Sequence, residues 1–268
     1  MGVPSVDHRT TPPSIPPLKG EGSQTPALAR QRITMTKTYP ETPLHRAITS
    51  GEFPVIVSLA RHDIDLAKAA LDAGATALKT HLNAYHRATG TTFGSFAEER
   101  PFYEALSKLG APLLLMAGQE TVPSAEEMEA LADLGFEGFN VYFAHLQPHL
   151  LQSRLRPMPA LSSDSTPEDL ERIIALPGAM VEASIIEFSG YGQPMTDADV
   201  TRYGEIVKAA AGIPVIAPSQ RKFTPADMPR LRAAGIAAPL LGAIVTGDTT
   251  ASMQAAVAPI AAAIAADR

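Results

Sequence analysis

Eight times from Pro54 onward, a short apolar run alternates with a longer amphipathic segment, which restricts the chain to a parallel sheet with helices packed outside it. The runs are "PVIVSLA" (54–60), "ATALKTH" (75–81), "PLLLMA" (112–117), "GFNVYF" (138–143), "PMPALS" (157–162), "AMVEASIIE" (179–187), "IPVIAP" (213–218) and "APLLGAI" (238–244). Eight strands joined by helices predict a closed (β/α)8 barrel, the TIM-barrel fold. The helical segments carry the matching period. In "DIDLAKAALDAG" Leu66, Ala69, Ala70 and Ala73 share one face before Gly74 stops the helix. "TPADMPRLRAAG" opens on a Thr cap with Pro225 in its first turn and ends at Gly235.

The barrel is expected over residues 41–268, which fits the roughly 200–250 residues of a typical single α/β barrel. Residues 1–40 read differently: "TTPPSIPPLKGEG" mixes prolines and glycines with polar residues and shows no apolar period, so a disordered extension is expected there. No apolar core of a secretory signal follows the start. Met35, just before the stretch leading into the first strand, is a second candidate for the start of the chain. Hydrophobic residues make up 45% of the chain, enough to fill a sizeable core. The net charge of −6 provides no basic field for nucleic acid. No apolar stretch is long enough to span a bilayer. Cysteine is absent, so disulfides, thiolate metal sites and cysteine nucleophiles are excluded, and a cytoplasmic protein is expected. The alanine-rich end, "MQAAVAPIAAAIAA", packs as the last barrel helix or contributes to a homodimer contact.

In such a barrel chemistry belongs at the carboxyl ends of the strands. In "ALKTHLN" Lys79, His81 and Asn83 lie two residues apart and point the same way in an extended chain, with Leu78 and Leu82 opposite. A lysine inside a barrel must be paired or neutral, which makes Lys79 a candidate for acid/base or Schiff-base work. The alternative is an ion pair with Glu182 or Glu187 that plugs the barrel. These two glutamates, five positions apart, point to opposite faces of a regular strand, so at most one faces the interior. Glu187, beside a glycine-bearing loop, is the favoured proton carrier, so the candidate catalytic residues are Lys79, His81 and Glu187.

Three junctions suggest an anion site: "SGYG" (189–192), "PSQRK" (218–222) and "GAIVTGD" (242–248). Backbone N–H groups of the last loops, with glycines that let an anion approach, hold phosphate in such barrels. Gly190, Gly192, Ser219 and Gly242 are the natural donors, with Gln220 and Ala243 beside them and Arg221 or Lys222 as charge partners. In the long loop "HLNAYHRATGTTFGSF", Arg87 could hold a second anionic group. His62, Asp63, His81 and His145 could in principle hold a divalent ion, but no fixed-spacing metal motif is present, and neither metal nor cofactor is expected.

The stretch "IIEFSGYGQP…GIPVIAPSQRKFTPADMPRLRAAGIAAPLLGAIVTG" resembles the last third of N-acetylmannosamine-6-phosphate 2-epimerase-type, ribulose-phosphate-binding barrels. The resemblance implies that Ser189, Gly190, Tyr191 and Gly242 line a sugar-phosphate pocket. The family's catalytic positions are not matched. Pro218 stands where the epimerases carry a glutamate, and "PLLLMAGQ" lacks their lysine. The leading expectation is therefore an isomerase or epimerase of a phosphorylated sugar or related metabolite, with chemistry at new positions. A Schiff-base lyase acting on a phosphate ester and a non-catalytic phosphometabolite-binding barrel are the alternatives.

Overall fold

The computed structural model describes residues 37–267. Its strands are β1 (Ile56–Ser58), β2 (Ala77–His81), β3 (Ala84–His86), β4 (Thr91–Phe93), β5 (Leu113–Met116), β6 (Phe136–Tyr142), β7 (Arg156–Leu161), β8 (Val181–Ala183), β9 (Val215–Pro218) and β10 (Ala238–Leu241). The helices are α1 (Pro43–Thr49), α2 (Ile64–Asp72), α3 (Phe96–Ser107), α4 (Ala125–Asp133) and α5 (Pro167–Ile174), then α6 (Asp197–Ala209), α7 (Asp227–Ala233), α8 (Ala243–Thr246) and α9 (Thr250–Ala266). The parallel strands close in the order β1-β10-β9-β8-β7-β6-β5-β2, a (β/α)8 barrel. All eight expected strands are present. The hairpin β3–β4 is an addition, pairing antiparallel inside the long loop after β2.

The period of two sorts each strand into an outer and an inner face. Outward side chains such as Leu78, Leu115, Phe139, Val181 and Leu241 form one core with the helices. Inward ones form a second core of Ile56, Ala77, Leu114, Met158, Met180, Ile216 and Ala238, closed by Leu44 and Ile48 of α1. Helix α1 thus seals the amino end of the barrel. Residues 1–36 of the extension expected over 1–40 lie outside the described residues. Its last four are fixed against the barrel rather than disordered: Lys37 Nζ donates to Leu151 O at 3.0 Å, and Arg156 Nη2 donates to Pro40 O at 3.1 Å.

Local chemistry explains the boundaries. Gly74 ends α2 at φ +101°, and a Cβ there would sit 2.8 Å from Ala261 Cβ of α9, so the turn and the helix contact both need glycine. The Thr cap expected ahead of α7 is present: Asp227 Oδ2 accepts from both N–H and Oγ1 of Thr224, and residues 225–226 form the turn that leads into the helix. Strand β7 contains Pro157 and Pro159, two apart. Their missing N–H groups face the same neighbour, and Pro157 O accepts from Met180 N on the β8 side. The ladder to β6 keeps its donors and runs through five register pairs, against two to β8.

Candidate active site

Above the apolar layer, the inward positions of the same strands turn polar. Ser58, Lys79, His81, Asn140, Glu182 and Ser184 are all buried, and they form the floor of a cavity of about 570 Å³ at the carboxyl end of the barrel. One strand period separates a sealed interior from a lined one.

Lys79 Nζ donates to Glu182 Oε2 at 2.7 Å across the barrel, with both side chains at least nine-tenths buried. Ser184 Oγ donates to the other oxygen, Oε1, at 3.0 Å. Tyr142 is hydrogen-bonded to Ser184, and burial, first of all, pushes its phenol up, so the hydroxyl keeps its proton and can feed the chain toward Glu182. A carboxylate fixed at both oxygens beside an ammonium is a pre-oriented acid/base pair.

Glu187 is not part of this pair. Strand β8 ends at Ala183, and the apolar run continuing to Ile186 is loop, tied down where Ile186 N donates to Gln220 Oε1 at 3.0 Å. Glu187 then caps a short 3-10 turn (Phe188–Gly190) and is exposed. The alternation argument, that only one glutamate could face inward, selects Glu182.

His81 lies two residues beyond Lys79 on the same inward face and is 6% exposed. Its ring stacks on Phe93 of β4 at 4.6 Å and meets His86 of β3 edge-on at 4.9 Å. Nδ1 is buried without a hydrogen-bond partner. Burial, then His86 and Lys79, holds its pKa well below the usual range, so the imidazole is neutral. His86 is depressed to about 4 by burial and by Lys79, and its Nδ1 bonds Thr89 Oγ1 at 2.8 Å. Asn83 does not continue the inward row, because at φ +47° it turns the chain into the hairpin.

Of the four residues considered for a metal, His81 and His145 line the cavity, whereas His62 and Asp63 are committed elsewhere. His62 Nδ1 contacts Glu99 and its Nε2 contacts Thr80 Oγ1 at 2.7 Å, on the outer face of β2. Asp63 caps α2. Among the described residues no group of three histidine, aspartate or glutamate side chains is placed to hold a metal ion.

The anion candidates divide. Ser219, Gln220, Tyr191, Gly242, Ala243 and Arg87 line the cavity; Ser189, Gly190 and Gly192 do not. The N–H of Gly190 goes to Glu187 O and that of Gly192 to Gln220 O, so neither is free for an anion. A Cβ on Gly190 would strike Arg221 Nη1 at 2.8 Å and Ile186 Cγ2 at 2.9 Å, so packing explains this glycine. Arg221 is held by Asp199, Nε to Oδ2 at 3.0 Å, and donates to Gly190 O, which fixes a loop rather than offering a charge. Lys222 is exposed and contributes its backbone to an isolated bridge with Pro194. Gly242 differs. A Cβ there would meet only Ser219 Oγ, at 3.8 Å, so the cavity is open above it. Gly242 N donates to Ser219 Oγ at 2.7 Å and caps the short helix α8, whose leading N–H groups, on Ala243 and Ile244, have no partner within the helix.

No family model matches the chain, and no curated protein matches it. Solved structures do. Tryptophan synthase from M. tuberculosis superposes with a TM-score of 0.61 at 15% identity, covering 85% of this chain and 99% of its own. Phosphoribosyl anthranilate isomerase from Thermus thermophilus gives 0.55 at 15% identity, over 80% and 100%. Thiamine phosphate pyrophosphorylase from Pyrococcus furiosus gives 0.57 at 12% identity, over 81% and 97%. The chain shares their barrel. At these identities the likeness concerns the fold, and all three are named as enzymes.

Missed from sequence were Ser184, Tyr142 and Asn140, all inward positions of β6 and the β8 end. Tyr142 and Asn140 could have been found by extending to "GFNVYF" the alternation already applied to β2. No described helix is long and apolar enough to cross a membrane.

Proposed function

We propose that this barrel is an enzyme that moves a proton next to a carbonyl in a phosphorylated sugar or related small metabolite, as an isomerase or epimerase. The observation carrying this reading is the Lys79–Glu182 pair: buried, 2.7 Å apart, yet facing an open cavity of about 570 Å³ instead of sealed packing. A structural plug has no need of a cavity above it. In the reaction, the Glu182 carboxylate accepts the proton from the carbon beside the carbonyl, and the Lys79 ammonium donates a hydrogen bond to the oxygen as it becomes an enolate. For isomerisation Glu182 then returns the proton to the former carbonyl carbon while the adjacent hydroxyl passes its own proton to the first oxygen; for epimerisation a second donor protonates the carbon from the opposite face. Ser184 keeps the carboxylate oriented. Neutral His81, on the floor of the same cavity, is a second hydrogen-bonding group for the substrate oxygens. The phosphate sits over Gly242, against the N–H groups of Ala243 and Ile244 and beside Ser219, which is consistent with the anion sites of such barrels. The resemblance to the epimerase-type barrels adds support for the phosphate, while the acid/base residues belong to this chain.

Incubation with ribulose 5-phosphate, N-acetylmannosamine 6-phosphate and related ketose and aldose phosphates in deuterated water tests the reading directly. Loss of the proton signal beside the carbonyl is expected for at least one compound, and Glu182→Gln and Lys79→Met should each abolish it. Absence of exchange with every phosphorylated carbonyl compound that raises the melting point would sink proton transfer and leave a binding protein. A second reading, a Schiff-base lyase, draws on the same geometry, because Glu182 is placed to take the proton that a nucleophilic Lys79 must lose. Borohydride trapping of a carbonyl ligand on Lys79 separates the two.

A further inference from the structure

Among the described residues, two large hydrophobic side chains are exposed, Tyr85 at 54% and Phe188 at 56%, and both lie on the wall of the same cavity. They come from separate elements. Tyr85 stands on β3 of the hairpin, and Phe188 opens the 3-10 turn after β8. The Arg87 guanidinium, carried by the hairpin, lies 5.5 Å from the centre of the Phe188 ring, and Tyr191 packs against the same ring at 5.1 Å. Arg87 has no carboxylate partner among the described residues, so its charge is held by aromatic faces. Gln220 sets the Tyr191 hydroxyl: its Oε1 accepts from Ile186 N, its Nε2 donates to Tyr191 Oη at 2.7 Å, and the phenolic proton is left free for another acceptor.

Exposed aromatic surface carries a hydrophobic cost that scattered side chains are spared when neighbours cover them. Here it is confined to the mouth of a cavity whose volume falls in the range of about 300–1,000 Å³ that suits ligands larger than a short sugar phosphate. Rings and a planar guanidinium present flat faces, which favour a flat partner over a puckered one of the same area.

We infer that the mouth formed by Tyr85, Arg87 and Phe188 is a stacking subsite, and that the ligand is a phosphate ester carrying a planar aromatic or heteroaromatic ring at the end away from the phosphate. This rests on the phosphate reading above and narrows the substrate class. The ring lies against Phe188 and Tyr85 while the phosphate reaches Gly242 and Ala243, so the reacting carbons pass over Lys79 and Glu182.

The test compares 3-phenylpropyl phosphate, 3-cyclohexylpropyl phosphate and inorganic phosphate by calorimetric titration of the full chain. The two esters span the same three carbons between ring and phosphate, carry the same charge and differ in flatness. The phenyl ester should bind about tenfold tighter than the cyclohexyl ester, inorganic phosphate should displace both, and Phe188→Ala or Tyr85→Ala should erase most of the preference. Both substitutions are at exposed positions and leave the core intact. Equal affinities for the two esters, or a preference that survives both substitutions, overturn the stacking subsite while displacement by inorganic phosphate keeps the phosphate site. Failure of all three to bind overturns both.

Discussion

The lower and upper halves of the barrel interior are built from the same strands, two residues apart, and have opposite character. On β2 the step is Ala77 to Lys79, on β8 Met180, just before the strand, gives way to Glu182, and on β6 Gly138, packed against Leu114, gives way to Asn140. Below, side chains of adjacent strands meet and exclude water. Above, they hold charge and leave space. Stability and chemistry are thus stacked along one axis, and substitutions in the two layers should fail in different ways.

The sharpest break is expected at the charge pair. Glu182→Ala strands a buried ammonium and should cost about 3–5 kcal/mol in denaturant unfolding. The double replacement Lys79→Met with Glu182→Leu should recover most of that stability while remaining inactive; a double variant as unstable as the single one would show that the pair itself stabilises the fold. Met158→Ala, in the lower layer, should cost about 2–5 kcal/mol through the cavity it opens and leave phosphate affinity unchanged.

Two inward glycines sharpen the contrast. A Cβ on Gly138 would lie 2.9 Å from Arg156 O and 3.1 Å from Leu114 Cδ2, whereas one on Gly242 would meet only Ser219 Oγ at 3.8 Å. Gly138→Ala should lose about 1–3 kcal/mol by overpacking. Gly242→Ala should stay within about 0.5 kcal/mol of wild type, yet weaken phosphate binding, since its methyl group enters the cavity. If Gly242→Ala binds phosphate normally, the anion is held elsewhere.

The last contrast is a slope with pH. His86 has a folded pKa of about 4, below its ordinary value of 6.5, so the unfolded chain binds more protons between the two. Its contribution is complete above about 6.5 and is lost as pH falls toward about 4. Urea midpoints should decline over that window, and His86→Gln should flatten the decline. His81 shifts in the same direction and leaves a residual slope.

The barrel was legible because alternation of apolar runs and amphipathic segments is a property of the whole chain, repeated eight times. The inward-facing lining of the cavity was legible where strand parity held, as at Lys79 and His81. It misled where a strand stopped early: nothing in "VEASIIE" announces that extended pairing ends at Ala183, because the residues up to Ile186 are as apolar as a strand and are buried by Gln220 and the helices instead. The glycines of 189–192 misled for a related reason. Sequence shows that a side chain is absent, and only geometry shows whether Arg221 or a ligand fills the space. The hairpin β3–β4 was unseen because its strands are three residues each and end in a turn with no strong signal.

Helix α1 lies under the floor of the barrel, with Leu44 and Ile48 driven into its lower layer and Arg156 tying the preceding segment in place. A vessel stoppered below is entered and left by one doorway. If the proposed reaction runs here, product leaving the cavity crosses the path of the next substrate, and added product should slow turnover by competition at the entrance.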